Sequence, residues 1–243
     1  MLVIVDKTDN NYSFLPINRD TMSEVRLIQD DGTGAATAEL QLCTAHWYGG
    51  NAGQSCANTV ESISKLFGGL KIDGYYAIPM DEIPKLNHSV GGVTVTLLED
   101  FQDIDRQMKK GETLALSDEQ AYHYIHDRYG VGDEKNTSRM KRQQQYMEAF
   151  FTKAKEKAKS DKAYVSQLFR KFEQTATTNL TAKKISGLTN RLIKGTQKGF
   201  FEIQGTSKIG KALGDGIDHA EFYPDKKSII DVMTKIYGLK KRE

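Results

Sequence analysis

Apolar and polar positions alternate in short blocks along the first hundred residues and then settle into helical spacing. Leu2–Val5 and residues 13–17 are apolar runs separated by the turn-rich stretch 6–11, which is the pattern of a β-hairpin. The second run ends at Arg19-Asp20-Thr21, and a polar Gly/Thr/Ala loop over 30–37 leads to another strand at 39–42. Residues 59–67 carry apolar side chains at 60, 63, 66 and 67, the spacing of an amphipathic helix, and Gly68-Gly69 closes it. A strand over 72–78 follows. Asp81 then caps a short helix that ends near Gly91-Gly92, and 93–97 alternates as a further strand.

Ser117 followed three residues later by Gln120 is a capping signal for a helix running to about His126. Past a polar loop at 130–137, residues 138–159 place apolar positions 147, 150, 151, 154 and 158 on one face of a long helix. Helices are expected at 163–175 and 181–194, a strand at 200–203, a glycine-rich loop at 205–216 and a last helix at 225–237. Strands interleaved with helices predict an α/β layered domain.

Composition sets outer bounds. Of the 243 residues, 38% are hydrophobic and 27% charged, enough apolar surface for a core. The 34 basic and 32 acidic side chains leave a net charge of +2, too little to attract nucleic acid by its overall field. No run approaches the roughly 18 apolar residues of a membrane span, and no basic-then-apolar leader opens the chain. The sequence begins on a core-like strand, so any membrane anchor is expected upstream of Met1. Cys43 and Cys56 lack CxxC spacing and a histidine cluster, which argues against zinc. They fit either two buried thiols or a bridge closing a short Gly/Asn/Ser loop.

The candidate chemistry lies in arginines. Arg139 and Arg142, three apart, share a face near the start of the long helix, where backbone N–H groups and the helix dipole favour an anion. Arg19 ends a strand, and Arg128 precedes the helix. If these segments meet, they form a clamp for phosphate oxygens; if not, Arg139 and Arg142 are a solvated face and Arg19-Asp20 a local ion pair.

Four ordered segments carry a resemblance. Leu15-Pro16-Ile17-Asn18-Arg19-Asp20-Thr21, Ala45-His46-Trp47-Tyr48-Gly49 and residues 86–95 with their Gly91-Gly92 are followed by Gln120-Ala121 through Arg128 and by Arg139-Met140-Lys141-Arg142-Gln143-Gln144. Together they resemble the LytR–CpsA–Psr family over about residues 1–155, which leaves a helical and strand extension at 156–243.

The resemblance implies one domain with a central, mostly antiparallel or mixed sheet sandwiched between helices. It also implies an extracytoplasmic, membrane-anchored transferase that moves a phospho-glycopolymer of the teichoic acid or capsular class from a polyprenyl-pyrophosphate carrier to peptidoglycan. Arg19, Arg128, Arg139, Arg142 and Gln143 would hold the pyrophosphate. His126 stands where the family has an arginine, so that contact becomes pH-dependent. Val60, Ile63 and Phe67 would line a lipid pocket, or on periodicity alone belong to the core. Asp20 is the nearest candidate catalytic carboxylate, with orientation of Arg19 as its other role. The family's magnesium and its metal- and base-supplying aspartates would fall upstream of Met1. Cys43 and Cys56, with Glu221-Phe222-Tyr223-Pro224, fit one subgroup of the family and would be disulfide-bonded outside the cytoplasm. Two other readings stay open: a lipid- or wall-binding module without turnover, and a transcriptional regulator, which lacks support from a basic recognition helix.

Overall fold

The chain was analysed as a computed structural model, which describes residues 1–29, 31–34 and 36–238. In chain order the elements are β1 (Leu2–Val5), β2 (Tyr12–Leu15), β3 (Met22–Arg26), β4 (Thr37–Gln41), a 3-10 turn (Leu42–His46) and α1 (Ala52–Leu66). There follow β5 (Tyr76–Ala77), a 3-10 turn (Met80–Glu82), α2 (Ile83–Ser89), β6 (Thr94–Thr96), β7 (Thr113–Ala115), α3 (Asp118–His126) and α4 (Asn136–Ser160). The C-terminal part holds α5 (Tyr164–Lys171), β8 (Thr177–Thr178), α6 (Ala182–Lys194), β9 (Gln197–Phe200), β10 (Gly205–Gly210), β11 (His219–Pro224) and α7 (Lys226–Tyr237).

This is the expected mixed α/β class in one domain. Among the described residues, strand pairing is divided between a three-stranded sheet, β1-β2-β9, and four two-stranded ladders. β1 and β2 pair antiparallel, Leu2 opposite Leu15, around a turn in which the Asp6 N–H donates to the Asn11 carbonyl (2.8 Å). β9 joins β2 in parallel and β11 touches the segment before β3 through a Thr21–Phe222 bridge, so the C-terminal part is woven into the N-terminal sheets.

The sequence reading missed β3, β7, β8, β10 and β11 and the first two turns of α1. α1 starts at an Asn51 cap whose side chain accepts from Gln54 N–H (3.0 Å); its early face is built from small and polar residues, so apolar periodicity is silent there. Within the expected glycine-rich loop, 205–210 is a strand, because β10 obtains its ladder from β11, across the loop 211–218, and has no apolar alternation of its own. The strand expected over 72–78 shrinks to Tyr76–Ala77, which pairs with Thr177–Thr178. Of the loop at 30–37, positions 30 and 35 lie outside the described residues. The Ser117 capping box forms as expected, Gln120 N–H donating to Ser117 Oγ (3.1 Å) and Ser117 N–H to Gln120 Oε1 (3.0 Å).

The main core gathers α2, β6, β7, α3 and α4 around Val93, Leu97, Phe101, Met108, Tyr124 and Tyr146. Phe14 on β2 stacks on Phe200 of β9 (4.8 Å between ring centres) and on Phe151 of α4 (4.7 Å), which pins the three-stranded sheet to the long helix. The largest fully buried side chain is not apolar. Arg142, 1% exposed, pairs with Glu99, lies over the Phe101 ring (5.1 Å) and donates from Nε to the Tyr124 carbonyl (2.8 Å) and from Nη2 to that of Asp127. Burial pushes its guanidinium down to about 10, which leaves it charged at neutral pH. Gly132, at φ 55°, passes so close to Glu99 that a Cβ there would collide with its carboxylate.

Removing one partner of a buried ion pair strands the other charge. Arg142→Ala should therefore lower unfolding stability by about 3–5 kcal/mol, read by urea denaturation. The Arg142→Met, Glu99→Leu double variant should recover part of that loss.

Candidate functional site

The turn between β2 and β3 is organised by Asn18, whose Oδ1 accepts from the Asp20 N–H (2.9 Å) and from Asn136 Nδ2 (2.8 Å). Asn136, buried at the first position of α4, also accepts from Arg139 Nη2 through its own Oδ1 (2.7 Å). One carboxamide thus ties the turn bearing Arg19 and Asp20 to the helix face bearing Arg139. The third arginine, Arg128, comes from the loop after α3 and lies over the ring of Tyr129 (4.4 Å).

Arg19, Arg128 and Arg139 face one open cleft of about 590 Å³, whose walls also include Asp20, His126 and His219. The charge in it is unbalanced. Burial lowers the Arg139 guanidinium's affinity for its proton first, and the positive charges of Arg19 and Arg128 lower it further. Burial raises the Asp20 carboxyl, and Arg19, Arg128 and Arg139 pull in the opposite direction, together with a hydrogen bond from Asn136. Arg19 Nε stands 3.7 Å from Asp20 Oδ1. Three guanidiniums share one carboxylate; two unit charges 4 Å apart at an effective dielectric of 20 interact by about 4 kcal/mol, so an anion entering here relieves repulsion as well as making its own contacts. Arg139 Nε is buried and has no hydrogen-bond partner among the described residues.

The other carboxylate of that wall, Asp127, is already engaged, with Oδ2 held by His123 Nδ1 (2.7 Å) and Oδ1 by His126 Nδ1 (2.8 Å). Exposed Trp47 and Tyr129 stand at the cleft margin, 59% and 75% accessible.

Several expected site residues lie elsewhere. Arg142 is in the core, because Glu99 and two carbonyls take its donors, and it cannot reach a ligand in the cleft. Gln143 is outside the cleft wall as well, with Nε2 donating to the Ile125 carbonyl (3.0 Å). Val60, Ile63 and Phe67 do not line the cleft; Ile63 is buried and the other two half-buried on α1, which packs on β3 and the 3-10 turn after β4. Cys43 and Cys56 are free thiols, which corrects the expected disulfide: Cys43 lines the arginine cleft, whereas Cys56 is buried in the first half of α1, so the two side chains serve different surfaces. Asn136 and Tyr129 escaped the sequence reading, and Asn18, Trp47 and His219 were given no site role there; Asn18 and Tyr129 flank arginines already singled out.

Among the described residues no group of three or more His, Cys, Asp or Glu side chains could hold a metal ion. The cleft does not fit magnesium by itself, since Asp20 is ringed by guanidiniums and Asp127 is occupied by two imidazoles. No helix among the described residues is long and apolar enough to cross a membrane.

Comparison with known proteins agrees with this architecture. The LytR_cpsA_psr family model matches residues 1–236. Similar solved structures include B. subtilis TagV (TM-score 0.72, 20% identity, 97% of this chain and 86% of that one) and TagT bound to LIIa-WTA (0.68, 20%, 97% and 82%). Another is a transcriptional regulator from Enterococcus faecalis (0.70, 20%, 99% and 82%). No curated protein matches.

Two outcomes follow from the site. An alkylating reagent should modify Cys43 in the folded protein and Cys56, whose thiol burial pushes up, only after denaturation; equal labelling by mass spectrometry would contradict the placement of Cys56. Because the folded state raises the Asp20 carboxyl, that group's contribution is fully present below its unfolded value and is lost as pH rises through the folded one. The stability of Asp20→Asn relative to wild type should therefore increase from acid to neutral pH, measured by denaturation across that range.

Proposed function

As the chain belongs to the LytR–CpsA–Psr family, we propose that it is a transferase moving a phospho-glycopolymer of the teichoic acid or capsular class from a polyprenyl-pyrophosphate carrier to a peptidoglycan hydroxyl. The observation that carries this reading is the convergence of Arg19, Arg128 and Arg139 on one cleft, where all three act on the Asp20 carboxylate. In phosphoryl transfer the protein's work is positioning and neutralising charge, and guanidiniums held by a carboxamide network do both. TagT, which shares the fold, is bound to LIIa-WTA in its structure, which supports a lipid-linked wall precursor as the ligand class here.

In this reading the acceptor hydroxyl oxygen attacks the glycopolymer-side phosphorus. A new P–O bond forms as the bond from that phosphorus to the bridging oxygen breaks, and polyprenyl monophosphate leaves with the bridging oxygen. Arg19, Arg128 and Arg139 bear the charge that develops on the phosphate oxygens. Asp20 positions Arg19 and Arg139. Val60, Ile63 and Phe67 on α1 are our assignment for the apolar wall along the polyprenyl chain. The site would work on the extracytoplasmic face of the membrane, where carrier and peptidoglycan meet. Magnesium, implied by the family resemblance, has no ligand set among the described residues.

The test is binding and turnover with a polyprenyl-pyrophosphate glycan and a peptidoglycan acceptor. Arg139→Ala should weaken lipid-pyrophosphate binding by about 1.5–3 kcal/mol, the range for a lost hydrogen bond to a charged group, and should lower the salt dependence of binding. Binding insensitive to this change would defeat the clamp. Binding without transfer would favour a non-catalytic lipid-binding module. Retention on duplex DNA that falls with salt would favour a regulator.

A further inference from the structure

His126 stands in the clamp wall, in a position built for proton transfer. Its Nδ1 is held by Asp127 Oδ1 (2.8 Å), and its ring stacks on Tyr122 with centres 4.7 Å apart and planes 15° off parallel. Its Nε2 has no hydrogen bond among the described residues, and the side chain lines the arginine cleft.

Asp127 is in turn fixed from three directions. His123 Nδ1 takes its other carboxylate oxygen, its N–H donates to the His123 carbonyl (3.0 Å), and its own carbonyl accepts from buried Arg142. A carboxylate on Nδ1 sets the tautomer in which Nδ1 carries the proton and Nε2 a lone pair, and it stabilises the imidazolium once a second proton arrives.

We propose that His126 is the base that takes the proton from the acceptor hydroxyl, with Asp127 as its positioning residue; this rests on the transferase reading above. As the hydroxyl oxygen bonds to phosphorus, its proton passes to Nε2 and the bridging P–O bond breaks. The imidazolium later returns the proton to the departing phosphate or to water.

The other groups in the cleft are less suited. Asp20 stands 3.7 Å from Arg19 Nε and among the three arginines it positions, and Asp218 pairs with Lys211 (3.7 Å) at an exposed site. His219 faces the cleft from β11 with Nε2 held by Asp215 (2.8 Å), on a hairpin outside the main core.

The experiment uses the full chain as wild type, His126→Gln and Asp127→Asn. It measures affinity for polyprenyl pyrophosphate, the rate of polyprenyl monophosphate release to a peptidoglycan acceptor across pH, and histidine 15N spectra. His126→Gln should lower kcat about 10²–10⁴-fold, the usual contribution of a general base, far more than it changes lipid affinity, and the loss of rate on the acid side should disappear. Asp127→Asn should lower kcat more than it changes KM and should move the His126 proton from Nδ1. The proposal is overturned if His126→Gln keeps the wild-type rate and acid limb. Wild-type spectra with the proton on Nε2, or a wild-type chain that binds lipid without turnover, would overturn it as well. Failure of wild-type binding, or binding indifferent to Arg139→Ala, would instead bring down the clamp beneath it.

Discussion

The buried Arg142–Glu99 pair holds the two halves of the site in register. Arg142 projects from α4 into the core and satisfies the carbonyls of Tyr124 and Asp127 at the end of α3, where the helix would otherwise leave them unpaired. The chain is thereby fixed where it leaves α3 and turns into the loop that carries Arg128. Taking these charges out of water is costly, and the cost is offset because each of the three guanidinium nitrogens of Arg142 has a partner. An arginine that looks from sequence like a ligand contact instead sets the geometry on which the ligand contacts depend.

A second network governs the other wall. Asn136 joins Asn18 to Arg139, so the turn after β2 and the first turns of α4 cannot move independently. Between these two anchors, burial weakens the hold of Arg139 on its proton, and the positive charges of Arg19 and Arg128 weaken it further, so the fold carries repulsion at that position. Stability spent in this way is characteristic of a site prepared for an anion. The C-terminal hairpin completes the wall, with the Phe222 N–H donating to the Asp20 carbonyl (2.8 Å) and placing β11 against the motif-bearing turn.

Asp127 connects the two functions of the cleft. Its backbone is held by the buried arginine and its carboxylate orients two imidazoles, so the structural anchor and the proposed proton acceptor meet in one residue. Substitutions at Arg142 and at Asp127 should therefore be told apart by stability first and by rate second.

The sequence by itself determined the α/β class, the capped helix that starts after Ser117, the long apolar face of α4, and the identity of three cleft arginines. Those features are local, since a cap acts within one turn and an amphipathic face repeats every three to four residues. Only the tertiary structure decided that Arg142 belongs to the core while Arg139, one turn earlier, faces the cleft. The same holds for the separation of the two cysteines, for β10 as a strand, and for the engagement of Asp127 by two histidines. Each of these depends on a partner distant in chain or on which side of a helix meets another element; hydrogen-bond and ion-pair partners are chosen by packing, and spacing along the chain does not encode which neighbour packing will supply.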